Sequence, residues 1–154
     1  MSREKNKRDL SPTISGSSDV MSPEQRSRCM SRIRNKNTPP EIIVRRLVHS
    51  SGYRFVLHKR GLPGTPDLVF PRYRKIIFVH GCFWHRHACR NGRRLPKSRV
   101  DFWTYKLAGN KARDLATRRR LRRLGWRFLV IWECEITDSE ALTQRIAAFL
   151  GKKL

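Results

Sequence analysis

Residues 75 to 89, Lys-Ile-Ile-Phe-Val-His-Gly-Cys-Phe-Trp-His-Arg-His-Ala-Cys, constrain the chain more than any other stretch. The apolar, β-branched run at its start predicts a buried strand. That strand passes without a linker into a glycine, two cysteines, two further histidines and the aromatic pair Phe83-Trp84. The loop that ends it therefore holds the residue types that bind metals and move protons.

The flanking sequence supplies a sheet and helices for that strand. Ser22-Pro23-Glu24-Gln25 combines a capping serine, a proline at the first helical position and a glutamine three residues after the cap, predicting a helix over about 23–35. Its Arg26, Arg28, Arg32 and Arg34 are either a solvated basic face or a DNA contact. Thr38-Pro39-Pro40-Glu41 repeats the start signal, and Ile43, Val44, Leu47 and Val48 give that second helix an inward stripe up to Gly52. Residues 53–57 and 67–70 read as strands around the turn Leu62-Pro63-Gly64-Thr65-Pro66, and 72–74 turn the chain into the strand 75–79. That strand is expected at the centre of a three-stranded meander.

A loop rich in Arg, Pro and Gly follows, then a helix over about 101–124 ended by Gly125. Residues 126–132 read as a strand of the buried type, and the helical crossover before it favours parallel pairing in the same sheet. Thr137 and Glu140 form a third capping box, before a helix with Leu142, Ile146, Phe149 and Leu150 on one face. The fold class is α/β.

A chain of 154 residues is long enough for one domain with a real core, expected over 22–154. Residues 1–21, with Ser-Pro, Gly-Ser and no apolar period, read as a disordered basic tail. Thirty-five Lys and Arg against twelve Asp and Glu give a formal charge of +23, of the sign and size that attract a polyanion, so nucleic acid is the expected partner. Fifteen of those basic residues lie between His85 and Arg127, opposed only by Asp101 and Asp114, which concentrates the positive field there. No segment approaches 18 apolar residues, so no membrane partner is expected. The first twenty residues lack the apolar core of a secretory signal, and the cytoplasm is the expected compartment. Four cysteines in a reducing compartment argue for metal binding or inert thiols.

Three constellations carry chemistry. Cys82, His87 and Cys89 lie within eight residues, and Cys134 follows the strand expected to return beside the first. Three thiolates and one imidazole suit a structural zinc; the alternative is a core cysteine, a loop histidine and two idle thiols. Cys29 is left over and reads as inert. Pro66-Asp67 enters a strand whose partner ends near Val79-His80, which sets a carboxylate beside a strand-end carbonyl and offers a cradle for magnesium. His80 or His85 could activate water there, with Asp114 or Glu41 to orient it. Each acid also has a plainer explanation, as a cap, a turn residue or an offset to a basic helix. Phe83 and Trp84 could insert between base steps of DNA, whereas Phe102 is expected to pack in the core.

The runs Leu62-Pro-Gly-Thr-Pro-Asp67, His80-Gly-Cys-Phe-Trp-His85-Arg-His87-Ala-Cys89, Asp101-Phe-Trp103, Asn110, Arg113-Asp114 and Leu124-Gly-Trp126 through Trp132-Glu-Cys134 closely resemble the very-short-patch repair endonucleases. The resemblance extends in order over about residues 21 to 150. It implies a fold like that of type II restriction endonucleases, a mixed central sheet flanked by helices with a structural zinc site. It also implies a Mg²⁺-dependent, strand-specific nick 5′ to the thymine of a T:G mismatch left by deamination of 5-methylcytosine, which begins very-short-patch repair. Such an enzyme would act as a monomer on double-stranded DNA, at the bacterial nucleoid, alongside a cytosine-5 DNA methyltransferase.

By position, Asp67 matches the family's magnesium-binding aspartate and His85 its essential histidine, with Glu41, His80 and Asp114 in support. Cys82, His87, Cys89 and Cys134 match its Zn²⁺ set. Met30, Phe83, Trp84 and Trp103 match the residues that wedge into the duplex, and Lys106 and Asn110 those facing the mispaired bases. Val79 stands where the family commonly has threonine, which matters little if the magnesium ligand is the main-chain carbonyl. Arg86 and Ala88 replace further histidines outside the zinc set. The rival readings are a non-catalytic, zinc-stabilised DNA-binding module, which needs neither Asp67 nor His85, and an RNA-binding protein.

Overall fold

Two helices with proline at their start lead into the sheet in a computed structural model of the protein, which describes residues 22–32 and 36–151. The expected tail over 1–21, together with Ile33 and Arg34, lies outside the described residues. In α1 (Pro23–Ser31) the Ser22 hydroxyl accepts the Gln25 N–H at 3.2 Å and the Gln25 side chain accepts the Ser22 N–H at 2.9 Å, the reciprocal pair the sequence predicts. In α2 (Pro39–Ser50) the expected box is rearranged. Thr38 makes no side-chain cap; its hydroxyl donates to Glu41, whose other oxygen accepts the Asn37 N–H. Val44 and Val48 are buried and Leu47 partly so, but Ile43 falls outside the inward stripe and is exposed.

Four strands form one mixed sheet in the order β1 (Val56–Leu57), β2 (Leu68–Phe70), β3 (Lys75–His80), β4 (Arg127–Trp132). The first three are an antiparallel meander, and β4 joins β3 in parallel, as the helical crossover predicts. Three expectations need correction. The middle strand of the meander is β2, and β3 is interior because β4 lies on its other side. The strand expected over 53–57 shortens to two residues, because the Tyr53 N–H is taken by the Val48 carbonyl closing α2. As an edge strand, β4 is mostly half-buried, with only Ile131 fully enclosed.

Side chains alternate across the sheet, so its two faces build two cores. Leu68, Phe70, Ile77, Val79 and Ile131 face α2 and α5 (Ser139–Leu150), the latter burying Leu142, Ile146 and Leu150. Val69, Ile76 and Phe78 face the other way and pack with Leu121 of α4 (Val100–Arg123), beside Trp126 and Phe128. Helix α5 starts one residue later than expected, because the Asp138 carboxylate accepts the Ala141 N–H and takes the cap from Thr137. The loop after β3 contains a short helix, α3 (Arg90–Arg93), with no counterpart in the sequence reading. Among the described residues no helix is long and apolar enough to cross a membrane.

Gly64 sets how closely the turn before β2 approaches α4. It has φ +76, and a Cβ there would lie 2.4 Å from the Thr117 methyl. Gly64→Ala is expected to destabilise the protein by about 2–4 kcal/mol, combining a left-handed backbone penalty with overpacking, as read by urea unfolding.

Candidate functional site

The antiparallel ladder between β2 and β3 stops where the chemistry begins. Its register pairs Leu68 with Ile77; extended by two residues, it sets Pro66 against Val79. Proline has no N–H to offer the Val79 carbonyl. The Val79 N–H instead donates to Asp67 Oδ2 at 2.8 Å. Because the N–H and C=O of a strand residue point to the same side, the Val79 carbonyl and the Asp67 carboxylate share one flank of β3. Burial, above all, pushes the Asp67 pKa up to about 6, and the charge of Glu41 adds to the rise; the Val79 N–H and the charges of Arg45 and His85 oppose it.

Asp67 opens into a cleft of about 280 Å³ whose lining includes Val79, His80, His85 and Asp114. His80, the last residue of β3, is buried and stacks on His85 with ring centroids 3.7 Å apart. Burial, reinforced by His85, pushes its pKa down to about 3, so the His80 ring is neutral at physiological pH. His85 lies within the loop after β3, which folds back through His85 N–H to the Gly81 carbonyl and His87 N–H to the Cys82 carbonyl. Its Nδ1 sits 2.6 Å from Asp114 Oδ2 on α4, which fixes the imidazole and leaves Nε2 out of that contact. Of the two acids available to orient a histidine, Asp114 does so and Glu41 does not. Glu41 is buried one layer back, bound at 2.7 Å by Arg45, which also lies 3.2 Å from His58 Nε2. Neither Arg45 nor His58 figured in the sequence reading, although the i,i+4 spacing of Glu41 and Arg45 was a usable signal for the first.

The parallel register that pairs His80 with Trp132 also brings together the residues two positions beyond each. Those are Cys82 and Cys134. With His87 and Cys89 they form a group whose four ligand atoms all lie within 4.8 Å of one another. His87 Nδ1 lies 3.4 Å from Cys134 Sγ and 3.8 Å from Cys82 Sγ, close to the ~3.6 Å ligand–ligand edge that tetrahedral Zn–S and Zn–N bonds require. The His87 ring is held by stacking on Trp132 at 4.3 Å. The Gly92 N–H, which contacts Cys89 Sγ, pulls the Cys89 thiol down to about 6, whereas burial pushes Cys82 up to about 12 and Cys134 upward. One thiol ionises readily and two resist, so a closed thiolate set needs a cation among them. Gly92 lets α3 seat against this loop, since a Cβ there would lie 2.1 Å from the His87 carbonyl oxygen. Cys29 is exposed on α1, apart from this group.

Beyond the cleft stands an aromatic wall. Phe83 lies 5.1 Å from Trp84 and 5.6 Å from Trp103 between ring centroids. Phe102, expected in the core, is exposed and stacks edge-on against Trp103. Lys106 Nζ lies 5.7 to 5.9 Å from the Trp103 and Trp84 rings, and the Asn110 side chain donates to the Trp84 carbonyl at 3.0 Å. Trp103, Lys106, Asn110, Asp114 and Arg118 recur at spacings of three and four, so one face of α4 runs from the wall to the cleft. That stripe is legible in the sequence once the helix is recognised. Met30, on α1, is the only side chain of that helix described as partly buried, and among the described residues no hydrogen bond joins α1 to the wall.

Fold and site define a class: a strongly basic α/β protein with an acid–imidazole cluster at the carboxyl end of its central strand and a Cys/His cluster beside it. Comparison with known sequences supplies the family. The profile of DNA mismatch endonuclease Vsr matches residues 18–91. The type II nicking enzyme V.XorIIP of Xanthomonas oryzae pv. oryzae is 53% identical over 132 residues, covering 86% of this chain and 96% of that protein. The DNA mismatch endonuclease Vsr of Escherichia coli is 39% identical over 138 residues, covering 86% and 87%. The chain belongs to the DNA mismatch endonuclease Vsr family.

The raised Asp67 pKa has a thermodynamic consequence. As pH rises from about 4 to about 6 the unfolded carboxyl ionises before the folded one, so the native state loses stability across that window. In magnesium-free buffer, Asp67→Asn is expected to stabilise the protein at pH 7 by about 1–2 kcal/mol, with the gain vanishing below about pH 4, as read by urea unfolding at a series of pH values.

Proposed function

We propose that this chain is a magnesium-dependent endonuclease that nicks one DNA strand 5′ to the thymine of a T:G mismatch, the lesion left by deamination of 5-methylcytosine, and so begins very-short-patch repair. The observation that carries this reading is the meeting of Asp67, the stacked His80–His85 pair and Asp114 in one cleft, beneath an aromatic wall on a basic helix. The names of the nicking and mismatch-endonuclease relatives agree with it. The protein would act as a monomer on double-stranded DNA in the cytoplasm, in functional partnership with a cytosine-5 methyltransferase.

Asp67 and the Val79 main-chain carbonyl would hold magnesium; a half-buried carboxylate with no ion-pair partner among the described residues, next to a carbonyl that proline cannot satisfy, is a fitting donor pair. Bound there, the cation supplies polarisation of the phosphodiester and stabilises the leaving oxygen. His85 accepts or directs a proton of the attacking water, and Asp114 holds its ring and steadies the imidazolium. His80, kept neutral, backs His85 without adding charge. Glu41, tied to Arg45, sets the field around Asp67. With a carbonyl as ligand, valine at 79 serves as well as threonine.

Phe83, Trp84 and Trp103, joined by Met30, wedge into the duplex at the mismatch, while Lys106 and Asn110 face the mispaired bases. Zinc held by Cys82, His87, Cys89 and Cys134 is structural, closing the loop that carries His85. Residues 22–154 work as one domain and 1–21 as a basic tail.

A duplex with a single T:G mismatch should be nicked only with Mg²⁺. Asp67→Ala should lower the rate by about 10³-fold or more while DNA affinity stays within roughly threefold. Binding without nicking across a panel of sequence contexts would favour the non-catalytic DNA-binding module instead. Metal analysis should return about one zinc per chain, and Cys89→Ser should lose both zinc and the folded state.

A further inference from the structure

The cleft holds a cation that the proposed chemistry leaves without a task. Arg118 sits on α4 four residues after Asp114 and lines the same cleft as Asp67, His80 and His85. Its charge is close enough to His80 to weigh against protonation of that ring. Its Nε is buried with no hydrogen-bond partner, and among the described residues no carboxylate pairs with it. The nearest acid on its own helix face, Asp114, is already committed to His85. A guanidinium that lines the cleft with no carboxylate partner among the described residues is available to an acceptor that enters it.

A guanidinium presents parallel N–H donors that match the oxygens of a phosphate. We propose that Arg118 binds a non-bridging oxygen of the phosphodiester being cut and neutralises the charge that builds there in the transition state. The inference rests on the hydrolytic reading above. In that step the water oxygen bonds to phosphorus, one ester P–O bond breaks, and the alcohol leaves with a proton. Arg118 exchanges no proton; it pairs with the charge that the non-bridging oxygens gain during attack. The alternative task for Arg118 is packing, since its guanidinium carbon lies 6.0 Å from the Phe128 ring centroid. Arg122 lies over the same ring at 5.2 Å, so Phe128 is covered without Arg118.

Single-turnover nicking of a T:G duplex at saturating protein and Mg²⁺ tests this, alongside DNA affinity without divalent cation and the thermal midpoint. Arg118→Gln should lower the rate by about 10²–10³-fold, with affinity and midpoint little changed, because the contact strengthens only in the transition state. Arg118→Lys should recover part of the rate, since one ammonium replaces a fork. Guanidinium ion at millimolar concentration should speed Arg118→Ala, relative to the same concentration of potassium, and leave Phe128→Leu unmoved. A rate for Arg118→Gln within about threefold of the unaltered protein, or a rate loss matched by an equal loss of affinity, would overturn the proposal. If the unaltered protein nicks no T:G duplex, the endonuclease reading fails and the role of Arg118 falls with it.

Discussion

The parallel pairing of β3 with β4 is the constraint on which the site depends. Aligning His80 with Trp132 fixes where both strands end, and two residues further along Cys82 and Cys134 converge with no long-range side-chain contact needed to find each other. With the proposed metal held by this group, the loop between Cys82 and Cys89 would be tethered at both ends. Everything within it inherits a position: Phe83 and Trp84 stand against Trp103, and His85 reaches Asp114 and stacks on His80. The antiparallel side of β3 contributes the opposite kind of control, since Pro66 ends the ladder and frees the flank where Asp67 sits. One strand thus ends in a closed cluster on one side and an open carboxylate on the other.

Electrostatics divide the molecule in the same way. In a body with a formal charge of +23, Glu41 behind the cleft pairs with Arg45, and Asp114 within it lies 2.6 Å from His85 Nδ1. Asp67, unlike Glu41, has no ion-pair partner among the described residues, and burial makes it hard to ionise. Among the described residues the buried side-chain nitrogens without a hydrogen-bond partner are Arg45 Nε, His80 Nδ1 and Arg118 Nε, and His80 and Arg118 line the cleft. In the proposed function, stability and activity would pull against each other at Asp67, as they do wherever a charge is held in readiness for a ligand.

Much of this was legible beforehand, for definable reasons. The capping box at Ser22, the strand at 75, the crossover helix and the parallel return are local or periodic signals, and they survive folding. Long-range competition explains the departures. The Tyr53 N–H was claimed by α2, Asp138 outbid Thr137 for a cap, and β4 lies at an edge because no further strand exists among the described residues to cover it. Phe102 looked like a core residue because aromatics usually are, but it is exposed beside Trp103 and Lys106. The cysteine and histidine types were readable, yet which acid would orient His85 was not, because Asp114 lies 29 residues away and only the docking of α4 decides it. Arg45 and Arg118 were hidden among thirty-five basic residues, where composition conceals the few that turn inward.

The central claim is that one metal-closed loop at the end of the β3–β4 pair positions both the aromatic wall and the histidine of the cleft. X-ray absorption at the zinc edge of the purified protein tests it most directly. A first shell of three sulfurs at about 2.3 Å and one nitrogen at about 2.0 Å is the expected result, and it should be lost in Cys134→Ser, whose altered residue lies on the far strand. A shell of oxygens alone, or a folded protein carrying no zinc, would contradict the account at its foundation.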